Sequence, residues 1–155
     1  RYFMLLTCTY RSPIGEIGLL KENDNLIKVS FTDTAFKYLD VINSPNEFKE
    51  VITQLNEYFY EGRNKFEIQY TFLSTTFRSR VYKEMSKIAY GTTLSYSDLA
   101  TKVGKPRAFR AVGTACGKNP LPIIIPCHRV KGKSSLGGFT GGLDIKKFLL
   151  RLESN

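Results

Sequence analysis

The chain has 155 residues, of which 42% are hydrophobic and 13% aromatic, enough to bury one compact core with a smaller second unit. This composition excludes a disordered chain, and no run reaches the ~18 apolar residues that a membrane-spanning helix needs. Residues 1–75 hold 8 basic and 10 acidic side chains, whereas residues 76–155 hold 15 basic and 4 acidic ones. The basic half is typical of a domain that binds nucleic acid, although a solvated basic surface gives the same count.

Three cysteines, Cys8, Cys116 and Cys127, form an odd and widely spaced set without a Cys-x-x-Cys pair. We therefore expect no disulfide framework and a reducing, cytoplasmic setting. His128 is the only histidine. One histidine and three scattered cysteines do not provide the ligands of a structural zinc site, so we expect no metal. We also expect no signal peptide, since the first apolar run is short.

The predicted fold class is α+β, with a small N-terminal α/β domain over residues 1–72. Its short antiparallel sheet is predicted from three strands bounded by turn-forming residues, at residues 2–10, 16–21 and 26–32. Apolar side chains at helical spacing predict a helix over residues 44–60. A further strand is possible at residues 66–70.

The second domain, residues 73–155, is predicted to be mainly helical. After a helix over residues 76–89, Ser95 and Asp98 form the cap of a short helix that ends near Val103. A tight turn containing Gly104 separates it from the next helix, residues 107–116. Two short helices joined in this way form a helix-turn-helix pattern, which many helical hairpins without DNA-binding function share.

The second of these helices carries Arg110 among small side chains. Small residues such as Ala111 and Thr114 permit a helix to approach a DNA groove closely. Together with the local basic charge, this pattern favours DNA binding.

The apolar run at residues 123–125 predicts a buried strand that ends at Pro126, directly before Cys127 and His128. A cysteine with a histidine within reach can become a thiolate, which is a nucleophile. Adjacent residues of an extended segment point to opposite faces, so we expect a bend after Pro126 or one bridging water. The plain alternative is a buried structural cysteine and a surface histidine.

A glycine-rich loop, residues 131–142, follows the Cys-His pair and permits backbone N–H groups to approach a ligand closely. It lacks the spacing of a P-loop. A final helix is predicted over residues 143–153, with Ile145, Phe148, Leu149 and Leu152 on its inner face. This periodicity favours a solvent-facing Glu153, although that carboxylate is the one near the C-terminus that could orient His128.

Several motifs then appear in a fixed order between residues 77 and 153. They are Gly91–Leu99, Arg110–Gly113, Asn119-Pro120, Ile125–Val130, Gly138–Gly142 and Leu149–Glu153. In these motifs the chain resembles the O6-methylguanine-DNA methyltransferases, the O6-alkylguanine-DNA alkyltransferases of direct-reversal DNA repair. The N-terminal half fits the small domain of such proteins without matching residue by residue.

The resemblance implies that Cys127 accepts the alkyl group while His128, oriented by Glu153, acts as a base through a water. It implies that Asn119 ties the helix-turn-helix to the active-site loop. The DNA contacts that we expect are Tyr96, Arg110, Ala111, Thr114 and Arg129, with Tyr96 pressing on a phosphate and Arg110 entering the duplex. The expected pocket for a flipped guanine is formed by Tyr96, the backbone at Val130, Phe139 and Thr140.

The resemblance further implies a cofactor-free, single-turnover transfer from O6-methylguanine, with O4-methylthymine as a second substrate. The implied partner is double-stranded DNA containing O6-alkylguanine. The protein is expected to bind the minor groove of this DNA as a monomer. The main alternative is a non-enzymatic protein that binds alkylated DNA, and the presence of Cys127 argues against it. A cysteine hydrolase does not explain the basic helix-turn-helix, and a transcription regulator would carry a second DNA-binding domain.

Overall fold

The computed structural model describes residues 4–32, 36 and 39–154, and the chain forms two compact units, Arg1–Phe72 and Leu73–Asn155. A four-stranded sheet dominates the first unit, whereas helices dominate the second. The predicted α+β class is therefore confirmed. None of the helices in the described ranges is long and apolar enough to cross a lipid bilayer.

The sheet of the first unit has the strand order β3-β2-β1-β4. Its strands are β1 (Leu5–Ser12), β2 (Gly15–Glu22), β3 (Asn25–Ser30) and β4 (Ile42–Asn43). The first three are antiparallel neighbours, as the predicted hairpins require, and β4 pairs in parallel with β1. The beginning of the predicted first strand, residues 2–3, lies outside the described residues.

Among the described residues of this unit there is one α-helix, α1 (Lys49–Tyr60). A short 3-10 turn at Pro45–Phe48 precedes it, so the predicted helix over residues 44–60 begins with a tighter turn. Its buried face carries Val51, Leu55, Tyr58 and Phe59. The segment at residues 66–70 is not a strand, and only Tyr70 forms an isolated bridge, with Leu26.

The second unit is built from four helices and a two-stranded parallel sheet. Its elements are α2 (Thr76–Met85), β5 (Leu94–Ser95), α3 (Tyr96–Lys102), α4 (Phe109–Gly117), β6 (Val130–Lys131) and α5 (Leu143–Glu153). The predicted capping box of α3 is present, since Ser95 and Asp98 each bond the other's backbone N–H. Helix α2 ends at Met85, four residues before the end of the predicted helix over residues 76–89. Helix α5 has the predicted bounds, residues 143–153.

The buried strand predicted at residues 123–125 is wrong. Ile123 and Ile124 form a tight turn closed by a hydrogen bond from the Ile125 N–H to the Leu121 carbonyl (2.8 Å). Ile123 has a φ of 75°, a left-handed conformation that is unfavourable for a β-branched residue. All three isoleucines are nevertheless buried, so apolar burial and strand geometry are separate properties in this segment.

Candidate active site

Asn119, two residues after the end of α4, holds the turn that leads into the Cys-His pair. Its side-chain amide donates a hydrogen bond to the Ile125 carbonyl (2.8 Å), and its oxygen accepts one from the Leu121 N–H (3.0 Å). The side chain is buried, where such bonds are costly to lose. Asn119 therefore fixes the backbone before Cys127 relative to α4.

Cys127 begins a short 3-10 turn, Cys127–Arg129, directly after Pro126. The bend expected after Pro126 is therefore present. The thiol is buried, and burial raises its pKa to about 11, although a hydrogen bond with Asn119 and the charge of Lys146 act in the opposite direction. In this state Cys127 is a protonated thiol at neutral pH and needs a base to become a nucleophile.

His128 is fully buried and bonded to Glu153, with 2.6 Å between Nε2 and Oε2. Burial lowers the pKa of the ring below its ordinary value of 6.5, although the hydrogen bond and the charge of Glu153 oppose the shift. Because a carboxylate only accepts hydrogen bonds, Nε2 carries the proton and Nδ1 of the neutral ring is basic. Nδ1 has no hydrogen-bond partner among the described residues, so it is available to accept a proton.

Arg129 does not have the exposed position that a DNA contact requires. The residue is 7% exposed, and its guanidinium donates to both oxygens of Glu153 (2.8 and 3.0 Å) and to the Ile88 carbonyl (2.8 Å). Three of the five N–H donors of the guanidinium are thus bonded to groups inside the protein. The structure therefore does not support the predicted DNA contact: Arg129 holds the carboxylate that holds His128.

Glu153 itself is buried, so the solvent-facing position that periodicity favoured is wrong. The innermost residues of α5 are Lys146, Leu149 and Glu153, spaced by three and four positions. Two charged side chains thus lie on the buried face of α5. The apolar pattern missed this face because it counted only hydrophobic residues.

Lys146 is a charged residue of the site that the sequence patterns did not reveal. Its ammonium is buried and donates to the carbonyls of Val130 (2.7 Å) and Gly138 (3.1 Å), which joins β6 to the glycine-rich loop. Burial lowers the pKa of Lys146, whereas the thiols of Cys116 and Cys127 raise it. Its spacing to Glu153 along α5 is the signal that could have identified it.

A pocket of about 280 Å³ opens in front of Cys127. It is lined by Tyr96, Gly113, Cys116, Gly117, Cys127, Gly138, Phe139 and Thr140. Of the four predicted pocket residues, Tyr96, Phe139 and Thr140 lie in this lining. Val130, whose backbone is expected in the lining, is not part of it, and its carbonyl accepts a hydrogen bond from Lys146. Within the described residues, no three His, Cys, Asp or Glu side chains form a cluster that could hold a metal ion.

Tyr96 forms one wall of this pocket, at the first turn of α3. Burial raises the pKa of its phenol, and a hydrogen bond with the Gly138 backbone opposes the shift. The neighbouring Gly137 has a φ of 74°, and a Cβ at this position would collide with the Tyr96 hydroxyl. The loop can approach Tyr96 this closely because Gly137 has no side chain.

Helices α3 and α4 present a basic surface beside the pocket. Residues 99–118 include five basic residues and no acidic one. The predicted contacts Arg110, Ala111 and Thr114 are all exposed on α4, whereas Val112 and Ala115 are buried. Gly113 and Gly117 of the same helix line the pocket, so the basic surface and the pocket share α4.

The sequence matches the models of two protein families, and the two matches together cover most of the chain. Residues 76–155 match "6-O-methylguanine DNA methyltransferase, DNA binding domain", and residues 5–72 match "6-O-methylguanine DNA methyltransferase, ribonuclease-like domain". A relative from Methanosarcina barkeri, named methylated-DNA–protein-cysteine methyltransferase, is 41% identical over 93% of this chain and 94% of its own.

Solved structures from Mycobacterium tuberculosis are similar throughout. The O6-methylguanine methyltransferase superimposes with a TM-score of 0.91 at 37% identity, over 97% of this chain and 93% of its own. The OGT protein in complex with DNA gives a TM-score of 0.91 at 37% identity, over 96% and 92% of the two chains. The chain therefore belongs to the 6-O-methylguanine DNA methyltransferase family of enzymes.

Proposed function

We propose that this protein repairs alkylated duplex DNA by direct reversal, transferring the methyl group of O6-methylguanine to Sγ of Cys127. The observation that carries the proposal is the placement of Cys127 in a pocket, with the His128–Glu153 pair next to it and a basic helix along one wall. The relatives named methylated-DNA–protein-cysteine methyltransferase and the DNA complex of the M. tuberculosis protein support it.

The target base reaches the pocket by leaving the duplex. A base inside the stack is inaccessible to a buried thiol, and a weakly paired lesion costs less to extrude than a normal base. In the proposed complex, α4 lies in the minor groove, where Ala111 and Thr114 permit close approach. Arg110 then occupies the space that the flipped nucleotide leaves, and Tyr96 presses on the adjacent phosphate.

The reaction needs a base because the resting thiol is protonated. Because burial raises the pKa of Cys127 to about 11, the thiol is almost entirely protonated at pH 7. We propose that the proton leaves through one water molecule to Nδ1 of His128, while Glu153 stabilises the resulting imidazolium. Sγ attacks the methyl carbon, and the S–C bond forms as the bond from carbon to guanine O6 breaks.

The departing guanine gains negative charge as that bond breaks. The Tyr96 hydroxyl lies in the pocket wall and can donate its proton to guanine N3, which relieves that charge. Lys146 holds the loop carbonyl of Gly138 and contributes positive charge near the thiol. These residues position the base and balance its charge, and Cys127 alone forms the new bond.

The product is a thioether, which water does not cleave, and no residue in the proposed scheme regenerates the thiol. We therefore propose a stoichiometric reaction, one alkyl group for each protein molecule, by a monomer that needs no cofactor. O4-methylthymine is a second proposed substrate, because it presents the same kind of O-methyl carbon. A reducing compartment such as the cytoplasm keeps the acceptor thiol free.

The nucleoside composition of the DNA after reaction tests this function. A duplex with one O6-methylguanine is mixed with increasing amounts of protein and then digested to nucleosides. We expect O6-methylguanine to be replaced by guanine in amounts equal to the protein added. A lesion that stays intact while the duplex is bound would instead identify a non-enzymatic alkylated-DNA binding protein.

A further inference from the structure

Phe109, the first residue of α4, is a large aromatic side chain that the protein leaves in solvent. Its side chain is 44% exposed, although most phenylalanines of a folded domain are largely buried. The guanidinium carbon of Arg110 lies 5.9 Å from the centre of its ring, within the range of a cation–π contact. The ring is therefore placed beside the side chain that we propose enters the duplex.

The position of Phe109 on α4 directs it toward the pocket. Residues four and seven positions later on a helix share its face, and here these are Gly113 and Cys116. Both line the pocket in front of Cys127. Phe109 is thus one turn beyond the pocket wall along α4.

The surroundings of the ring match a nucleic acid. The nearby Lys105, Arg107 and Arg110 are all exposed, and no acidic residue occurs between residues 99 and 118. A partner that neutralises these basic side chains must carry many negative groups. To cover the Phe109 ring, the same partner must also present flat apolar surfaces. Duplex DNA from which one nucleotide has been flipped out has both, as phosphates and as the base faces that border the vacated position.

We propose that Phe109 is a second wedge of this protein: its ring stacks on the base pair next to the vacated position while Arg110 fills that position. This inference rests on the proposed function, because it assumes a flipped nucleotide. Apolar side chains inserted at a base step are a general means of holding a duplex open from the minor groove. The cation–π contact with Arg110 orders the two side chains before DNA binds.

The rate of alkyl transfer tests the proposal with two substrates. For Phe109→Ala, we expect transfer from a duplex containing one O6-methylguanine to be roughly tenfold slower than wild type, the order of one lost base–aromatic stack. Transfer from the free base O6-methylguanine should be unchanged, and Phe109→Tyr should retain the duplex rate. A wild-type rate for Phe109→Ala on the duplex, or an equal loss on both substrates, would overturn the proposal. Failure of the wild-type protein on the duplex would overturn the proposed function instead.

Fluorescence gives a second, direct test, because the chain contains no tryptophan. In Phe109→Trp the single indole should be strongly quenched when the lesion duplex binds, since it stacks on a base. The matched control is Tyr60→Trp at the end of α1, where the native side chain is 66% exposed. Its emission should not change. Unchanged emission from Phe109→Trp at saturating duplex would contradict stacking.

Discussion

The second unit has two charged regions that differ in burial: the charged side chains of one are buried and paired, and those of the other are exposed. Next to Cys127, the side chains of His128, Arg129, Lys146 and Glu153 are all buried and bonded to one another or to backbone carbonyls. On α4 and the turn before it, the basic side chains are exposed.

The difference shows how each region can be used. A buried charge is stable only with fixed partners, so the interior cluster keeps a defined geometry suited to moving a proton. Exposed cations without acidic neighbours are hydrated and adaptable, which suits contacts with phosphates of any sequence. Substitutions in the two regions should therefore fail differently: stability and chemistry in the first, DNA affinity in the second.

The largest effect on stability is expected for Glu153→Ala. It leaves the Arg129 guanidinium buried without its carboxylate, which should lower the free energy of unfolding by about 3–5 kcal/mol. The matched control is Glu84→Ala, which removes a partly exposed ion pair with Lys87 and should cost no more than ~1 kcal/mol. Urea unfolding of both variants measures the difference. Equal losses would contradict the importance of the buried cluster.

Arg110→Ala should affect DNA repair and spare the fold. We expect transfer from duplex O6-methylguanine to slow by roughly 10- to 100-fold, because the flipped state loses about 1.4–2.8 kcal/mol of stabilisation. Single-turnover rates with the duplex and with the free base distinguish an effect on nucleotide flipping from an effect on alkyl transfer. If the free-base reaction slows as much, Arg110 acts on the chemistry and not on the duplex.

Gly137→Ala tests the close approach of the loop to Tyr96. The left-handed φ should cost about 1 kcal/mol, and the collision with the Tyr96 hydroxyl should also distort the pocket and slow alkyl transfer. Gly62 has the same φ of 74° with no atom within 4 Å of an added Cβ. Gly62→Ala should therefore show the stability loss alone, as thermal unfolding and transfer rates can establish. A Gly137→Ala protein with full activity would argue against a constrained loop.

The buried His128 predicts a loss of stability in acid. Its folded pKa is below 6.5, so the unfolded state takes up the proton first as the pH falls. The contribution of neutral His128 to the free energy of unfolding is complete above pH 6.5. It is lost as the pH falls from 6.5 to the pKa of His128 in the folded protein, at up to ~1.4 kcal/mol per pH unit. Chemical unfolding of wild type and His128→Gln across this range measures it. Parallel pH profiles for the two proteins would show that His128 does not titrate as described.

The smallest effect is expected on the exposed surface. Lys105→Ala should weaken binding to undamaged and lesion-containing duplexes alike and reduce the salt dependence of log K by about one counterion. Lys28→Ala, a substitution of an exposed lysine on β3, is the control and should leave the dependence unchanged. Fluorescence anisotropy at several salt concentrations compares them. Identical slopes would place Lys105 outside the DNA contact surface.

Local signals predicted most of the fold, and they failed where burial and geometry are set by tertiary contacts. The capping box at Ser95 and the helix over residues 143–153 follow from short-range chemistry, and both are present. The apolar run at residues 123–125 predicts a strand because nothing in its composition reveals that Asn119 bonds the backbone of Leu121 and Ile125. Lys146 was missed for a related reason: a buried lysine is recognisable only once its carbonyl partners are known.

Intact mass with peptide mapping is the most direct measurement of the proposed transfer to Cys127. The protein is mixed with an equimolar duplex containing one O6-methylguanine, with Cys127→Ala as the control. We predict a gain of one methylene, confined to the Cys127 peptide and stopping at one equivalent, and no gain for the variant, which still binds the lesion. A gain on another cysteine, or demethylation of the DNA by Cys127→Ala, would contradict the assignment of Cys127 as the acceptor.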